Sequence, residues 1–355
     1  MKKLLTGIIL PLFLLLAACG NEGGSNEGAQ TIGISMPPLS LERWERDGYN
    51  LQSNLRELGY NTDLQFADDV ATQVSQIENM ITRGVDALII GAIDGEALTE
   101  VLNLASSEGV PVIAYDRLIM NSEHVSYYVT FDNFLVGETQ GNFIIEELGL
   151  RHGNGPFNIE LFGGSPDDNN AHIFNAGAMS VLQEFIDTGA LNVRSGQVAF
   201  NQVAIQGWST SNAQTRMDNL LSAHYTAEEL HAVLSPNDSI ALGIVSSLES
   251  LGFGSNRPMP IVTGQDADLA NVQHILNGMQ SMTVFKDTRV LAEAATQMVD
   301  AILNGNAPTV NDTENYDNGA RIVPTYLVGI TTVTAENVEA ELVVSGFYSA
   351  DELGL

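Results

Sequence analysis

A single cysteine, Cys19, stands among 355 residues, so no disulfide can form within the chain and a metal site built on several thiolates is excluded. Basic side chains are scarce as well: 14 Lys and Arg face 44 Asp and Glu, a formal charge of -30. A phosphate backbone needs clustered Lys and Arg, so composition argues against a nucleic-acid partner. The six histidines, at 124, 152, 172, 224, 231 and 274, show neither metal-ligand spacing nor the pattern of a Ser-His-Asp triad. Long apolar runs are missing too. The stretch from Leu4 to Ala18 has about 15 residues, short of the ~20 that a membrane-spanning helix needs. What remains is ordinary globular material, 44% hydrophobic with 33 glycines, so the acidity sits on a folded surface rather than in a disordered chain. The length fits two domains.

The position of the cysteine explains its presence. Lys2 and Lys3 precede the apolar stretch, which ends in Leu16-Ala17-Ala18-Cys19-Gly20. Small residues before a cysteine at the cleavage boundary are those of a lipoprotein signal, with residues 1–18 removed and Cys19 becoming the lipidated first residue. Residues 19–30, rich in Gly, Asn and Glu, hold no apolar side chain larger than alanine and form a flexible tether. The folded part is therefore expected outside the cytoplasm, at the outer face of the membrane, held by a lipid anchor only.

From Thr31 short apolar runs alternate with segments of helical period. Strands are predicted over Thr31 to Met36, Thr62 to Phe66, Ala87 to Gly91 and Val112 to Tyr115, with helices over Leu41 to Leu58, Val70 to Arg83 and Glu96 to Glu108. The alternation resumes with strands over Asn158 to Phe162, Val193 to Phe200, Ala232 to Ser235 and Ile261 to Thr263, separated by helices over Ala171 to Phe185, Asn212 to Ala223 and Ile240 to Ser250. Such order predicts an α/β fold of two doubly wound parallel-sheet lobes.

Ligands of open parallel sheets bind beyond the carboxyl ends of the strands. Those positions carry Arg43, Asp116-Arg117, Asp167-Asp168-Asn169-Asn170, Asn237-Asp238 and Asp266, with Trp208 in a loop between two of them. One such residue would be a helix cap; together they form a mixed donor and acceptor set around an indole. Sugar hydroxyls both donate and accept, so carboxylates, amides and guanidinium groups can satisfy them, while an indole stacks on the apolar face of a pyranose. A charged ligand would call for an excess of one sign.

Five blocks sharpen this reading: Leu39-Ser40-Leu41-Glu42-Arg43-Trp44, Ser75 to Met80, Ala114-Tyr115-Asp116-Arg117, Gly163 to Asn170 and Ser235-Pro236-Asn237-Asp238. With Gly264-Gln265-Asp266-Ala267 and Thr283-Val284-Phe285-Lys286, in collinear order across Thr31 to Leu355, they resemble the periplasmic xylose-binding and multiple-sugar-binding proteins. The resemblance implies a type I periplasmic-binding fold whose lobes are joined by three crossings, at 31–130 plus 287–323 and at 131–286 plus 324–355. It implies an aldose of the xylose, glucose, galactose or arabinose class held by Arg43, Asp116 and Arg117 of the first lobe and Asp168, Asn170, Trp208, Asn237 and Asp266 of the second. Lys286, near the second crossing, completes the shell. It further implies a monomeric receptor that closes on its sugar and serves an ABC permease, or else docks on a chemoreceptor or sensor kinase. Multiple-sugar members often carry Lys where Leu39 stands here, which leaves the sugar preference open.

Rival readings are weaker. Neighbouring Asp167 and Asp168 cannot easily flank a glycosidic bond as two separated acids must, so no enzyme is expected. Residues 311–319 are rich in oxygen but lack the order of a calcium loop, and neither metal nor cofactor is expected. Phe162-Gly163-Gly164 is not a GxGxxG motif. A sugar-responsive repressor of this fold would need a basic helix-turn-helix before Thr31, where an export signal stands instead. Asn169 and Asp167 are expected as turn and cap residues, and Trp44 as a core residue pointing away from the cleft.

Overall fold

The computed structural model describes residues 28–355. The signal segment, Cys19 and most of the tether lie outside the described residues. The chain first lays down β1 (Thr31–Met36), α1 (Glu42–Glu57), β2 (Asn61–Phe66), α2 (Val70–Thr82), β3 (Ala87–Ile90), α3 (Thr99–Ser107), β4 (Val112–Tyr115) and β5 (Tyr127–Phe131). It then passes into α4 (Asn133–Glu147), β6 (Phe157–Leu161), α5 (Asn169–Asp187), β7 (Leu191–Val193), α6 (Phe200–Val203), α7 (Thr210–His224), β8 (Ala232–Leu234), α8 (Asp238–Ser250), β9 (Ile261–Val262), α9 (Leu269–Leu276) and β10 (Thr283–Phe285). It returns through α10 (Thr288–Leu303) and β11 (Thr325–Val328), and ends with β12 (Thr331–Val333) and α11 (Ala350–Leu353).

Two sheets result. The first runs β11-β5-β4-β3-β1-β2, parallel throughout. The second runs β7-β6-β8-β9, also parallel, and a bridge between Gln265 and Val284 extends it to the antiparallel pair of β10 and β12. Strand succession reverses between β1 and β3 in one lobe and between β6 and β8 in the other, which creates a binding crevice at the carboxyl edge of each. The sequence reason is plain at β3, where Ala87, Leu88, Ile89 and Ile90 are all buried, as a strand covered on both faces must be. Helix α1 buries Trp44, Gly48, Leu51 and Leu55 along one stripe and packs on β1, β2 and α10.

The structure differs from the sequence pattern at three places. The expected strand Val193 to Phe200 is only β7, because Gly196 turns the chain in a left-handed conformation and α6 starts at Phe200. No element is expected at β5 or α4, although β5 is a buried run like β3; the Asn, Gly and Gln buried along α4 blur its helical period. The third crossing comes after Val328 rather than at 324, because β11 pairs with β5 in the first sheet while β12 joins the second.

Candidate functional site

All nine candidate side chains, Arg43, Asp116, Arg117, Asp168, Asn170, Trp208, Asn237, Asp266 and Lys286, line one cavity between the lobes. Their places follow from topology. Arg43 opens α1 after β1, Asp116 and Arg117 follow β4, Asp168 and Asn170 follow β6, Asn237 follows β8, and Asp266 and Lys286 follow β9 and β10. Trp208 leads into α7, and the indole can lie against the end of β6 only because residue 164 is glycine: a Cβ there would come within 2.1 Å of the ring.

Three cations, Arg43, Lys286 and Arg117, organise the floor through ion pairs. Arg43 Nη1 lies 3.0 Å from Asp116 Oδ2 and 3.4 Å from Asp266 Oδ1, while its Nε donates to Asp47 Oδ2 at 3.0 Å. Lys286 Nζ lies 3.1 Å from Asp266 Oδ1 and 3.8 Å from Asp116 Oδ2. Arg117 Nε pairs with Asp168 Oδ2 at 2.8 Å, and the same oxygen accepts Trp208 Nε1–H at 3.2 Å. The Arg43–Asp266, Lys286–Asp116 and Arg117–Asp168 contacts each join one lobe to the other.

Burial works against the Asp116 carboxylate more than any other single influence, yet the charges of Arg43, Lys286 and Arg117 together hold it below the usual carboxylate range. Asp168 goes the opposite way: burial pushes it up, and Arg117 offsets only part of the rise. Arg43 pays for burial too, but Asp116, Asp47 and Asp266 keep it firmly cationic.

Three of these residues hold a left-handed backbone without being glycine: Asp116 at φ 60°, Trp208 at 54° and Asp266 at 97°. Such conformations cost roughly 1–3 kcal/mol each and persist only where the surroundings over-determine them. At Asp116 they do. Its carbonyl accepts from Tyr128 Oη at 2.6 Å, Asn170 Nδ2 at 2.8 Å and Thr130 Oγ1 at 2.9 Å, and its N–H donates to the Val129 carbonyl.

Not every candidate is free to serve a ligand. Asn237 Oδ1 caps α8 by accepting from Ile240 N at 3.0 Å, and Asp168 Oδ1 caps α5 by accepting from Asn170 N at 2.9 Å. Asp167 accepts from Ser165 Oγ and Gln206 Nε2, the turn role expected of it. Leu39 is half exposed and not part of the lining, whereas Leu41 is. Residues 311–319 use their oxygens on turns, Asp312 accepting from the N–H groups of Glu314 and Asn315. Among the described residues no group of three or more His, Cys, Asp and Glu could hold a metal ion.

Trp44 is a buried core residue as expected, but it does not point away from the cleft. It lines the cavity, with the guanidinium groups of Arg43 and Arg117 at 4.6 and 5.1 Å from its ring centre. Side chains tilt toward a helix N-terminus, so first-turn neighbours can both reach a cleft that the helix meets end-on. Phe174, Ser239, Gln265 and Asp268 also line the cavity and went unnoticed in the sequence. Gln265, between Gly264 and Asp266 at a strand end, was the detectable one. Three buried polar atoms of lining residues have neither a hydrogen-bond nor an ion-pair partner, Arg43 Nη2, Trp44 Nε1 and Gln265 Oε1, while Asp116 Oδ2 lacks an aligned hydrogen bond but lies against Arg43 and Lys286.

Known proteins match this architecture. A periplasmic binding protein domain model matches residues 32–307. A multiple sugar-binding periplasmic protein of Azospirillum brasilense is 53% identical over 338 residues, 95% of this chain and 94% of that one. The D-xylose-binding periplasmic protein of Escherichia coli is 36% identical, covering 96% and 98%. The crystal structure of an ABC transporter solute-binding protein from Clostridium phytofermentans with bound β-D-glucose superposes with a TM-score of 0.89 at 51% identity, over 91% of this chain and all of the other. These relatives bind solutes and are not enzymes, and the chain belongs to their family, the periplasmic sugar-binding proteins of the type I fold.

Proposed function

We propose that the protein captures a neutral aldose outside the cytoplasm by closing its two lobes on it, and presents it to an ABC permease while a lipid on Cys19 keeps the complex near the membrane. The three unpartnered polar atoms carry the reading. Two donors and one acceptor, from both lobes, stand buried in one cavity, and an unmet buried polar group costs about 1–3 kcal/mol. A polyhydroxylated neutral ring meets donors and acceptors alike, and Trp44, Trp208 and Phe174 supply apolar surface for its C–H faces. Xylose and glucose, bound by relatives of this chain, are the first candidates.

The test is calorimetric titration with glucose, galactose, xylose and arabinose, with a charged amino acid as control. At least one aldose should bind at micromolar concentration or below. Binding by the amino acid and none of the sugars would overturn the proposal.

A further inference from the structure

A second set of contacts joins the lobes beside the cavity, through four side chains that do not line it. Arg46, one turn after Arg43 on α1, donates from Nη1 to Tyr348 Oη at 2.5 Å and brings Nη2 to 3.5 Å from Asp268 Oδ1. Tyr348 Oη in turn donates to the Ala267 carbonyl at 2.9 Å. The Arg46 guanidinium lies 4.8 Å from the ring centre of Phe347 and 5.3 Å from that of Tyr348. Arg289 on α10 approaches the Phe347 ring at 5.2 Å and donates from Nη1 to the Ser345 carbonyl at 3.1 Å. Both arginines belong to the first lobe. Phe347 and Tyr348 pack with Ala267, Val272 and Phe285 in the second.

We infer that Arg46 and the Phe347–Tyr348 pair form a clasp that stabilises the closed form without touching the sugar. Arg46 lies three residues from Arg43, and Asp268 two from Asp266. A rotation that parts Arg43 from Asp266 therefore also pulls Arg46 off Asp268 and Tyr348. Closure gains these contacts whatever the ligand is. Apparent affinity scales with the fraction of molecules in the binding-competent form, so a clasp raises affinity for every sugar by one factor and leaves their ratio alone. Arg46 and Tyr348 are thus positioning residues. The inference deepens the proposed sugar capture and rests on closure as its mechanism.

The experiment uses Arg46→Met, which keeps the side-chain stem at a partly exposed position, and Tyr348→Phe, which keeps the buried ring. Glucose and xylose binding are followed by stopped-flow and titration, and the sugar-free proteins by small-angle scattering, after circular dichroism shows that both variants are folded. Each should weaken both sugars by about tenfold, the scale of one charge-assisted hydrogen bond, chiefly through faster dissociation, and the sugar-free variant should scatter as a more open molecule. Affinities within about twofold of wild type in both variants would overturn the clasp, as would a shift of about fivefold or more in the glucose to xylose ratio. If wild type binds no sugar, the functional reading fails by itself. The clasp still stands or falls on whether the sugar-free variants expand.

Discussion

Replacing Asp116 tests the charged shell most directly. Its carboxylate is 4% exposed and faces Arg43 at 3.0 Å and Lys286 at 3.8 Å, with one oxygen lacking any aligned hydrogen bond. Asp116→Asn keeps the volume and removes the charge, leaving Lys286 with Asp266, and Arg43 with Asp266 and Asp47. Truncating one member of such a buried set costs about 2–5 kcal/mol of binding, or about 30- to 5,000-fold in Kd. Asp116→Ala removes the same acceptor and adds a backbone penalty, since alanine at φ 60° is disfavoured by roughly 1–2 kcal/mol where asparagine is tolerated. The two variants should therefore lose similar affinity but differ in stability, with the alanine protein melting a few degrees lower. Calorimetric titration with glucose and thermal unfolding of the sugar-free proteins give the two numbers. If Asp116→Asn binds within about threefold of wild type, the carboxylate is a structural ion and not a sugar ligand. If both variants melt alike, the left-handed backbone carries no strain.

Three further outcomes are expected. Gly164→Ala should displace the Trp208 ring, lowering both affinity and melting temperature; an unaltered sugar-induced change in tryptophan emission would show that the indole does not depend on that glycine. Burial, then the charges of Asp266 and Glu42, push the Asp268 carboxyl up to about 8, so the folded form holds a proton that the unfolded chain releases near pH 4. Asp268 should then make stability fall as pH rises from about 5 to 8, contributing at most ~1.4 kcal/mol per pH unit, and Asp268→Asn should make the melting profile less steep; equal slopes would refute the assignment. Raising ionic strength from about 0.02 to about 0.5 M should change glucose affinity by less than about twofold, because the ion pairs are buried and the ligand is neutral; a tenfold loss would point to an exposed or charged binding mode.

Much of this molecule can be read from its residues. Parallel strands covered on both faces appear as apolar runs, so β1, β3 and β4 fall where the pattern puts them, and the residues after their ends face the cleft because topology requires it. Other features depend on contacts made far along the chain. No glycine stands at Asp116, Trp208 or Asp266 themselves to announce their left-handed backbone; Tyr128, Thr130 and Asn170 impose the first of them. Asn237 has the same polar character as Asp266, yet only packing decides that its oxygen caps a helix. Trp44 is core, as its place on the buried stripe of α1 predicts, but a helical wheel ignores where the helix ends and so hides that its ring also reaches the cleft. Arg46 meets Tyr348 across 302 positions of sequence, which no local pattern could connect.

The acidity outside and the neutrality inside fit together. Arg43, Arg117 and Lys286 stand against Asp116, Asp168 and Asp266, each cation within 3.1 Å of an anion, in a protein whose formal charge is -30. A dry cleft with unbalanced charge would demand a counter-ion from its ligand, whereas a balanced one can close on a molecule that brings none. The pairs also fix their side chains before a sugar arrives, so little rotamer freedom is lost on binding, and unmet atoms such as Arg43 Nη2 and Gln265 Oε1 are left aligned for hydroxyls. The surface field acts on ions, not on an uncharged solute, so the many carboxylates neither attract nor repel the ligand. Their influence falls on solubility and on whichever charged surface the protein meets.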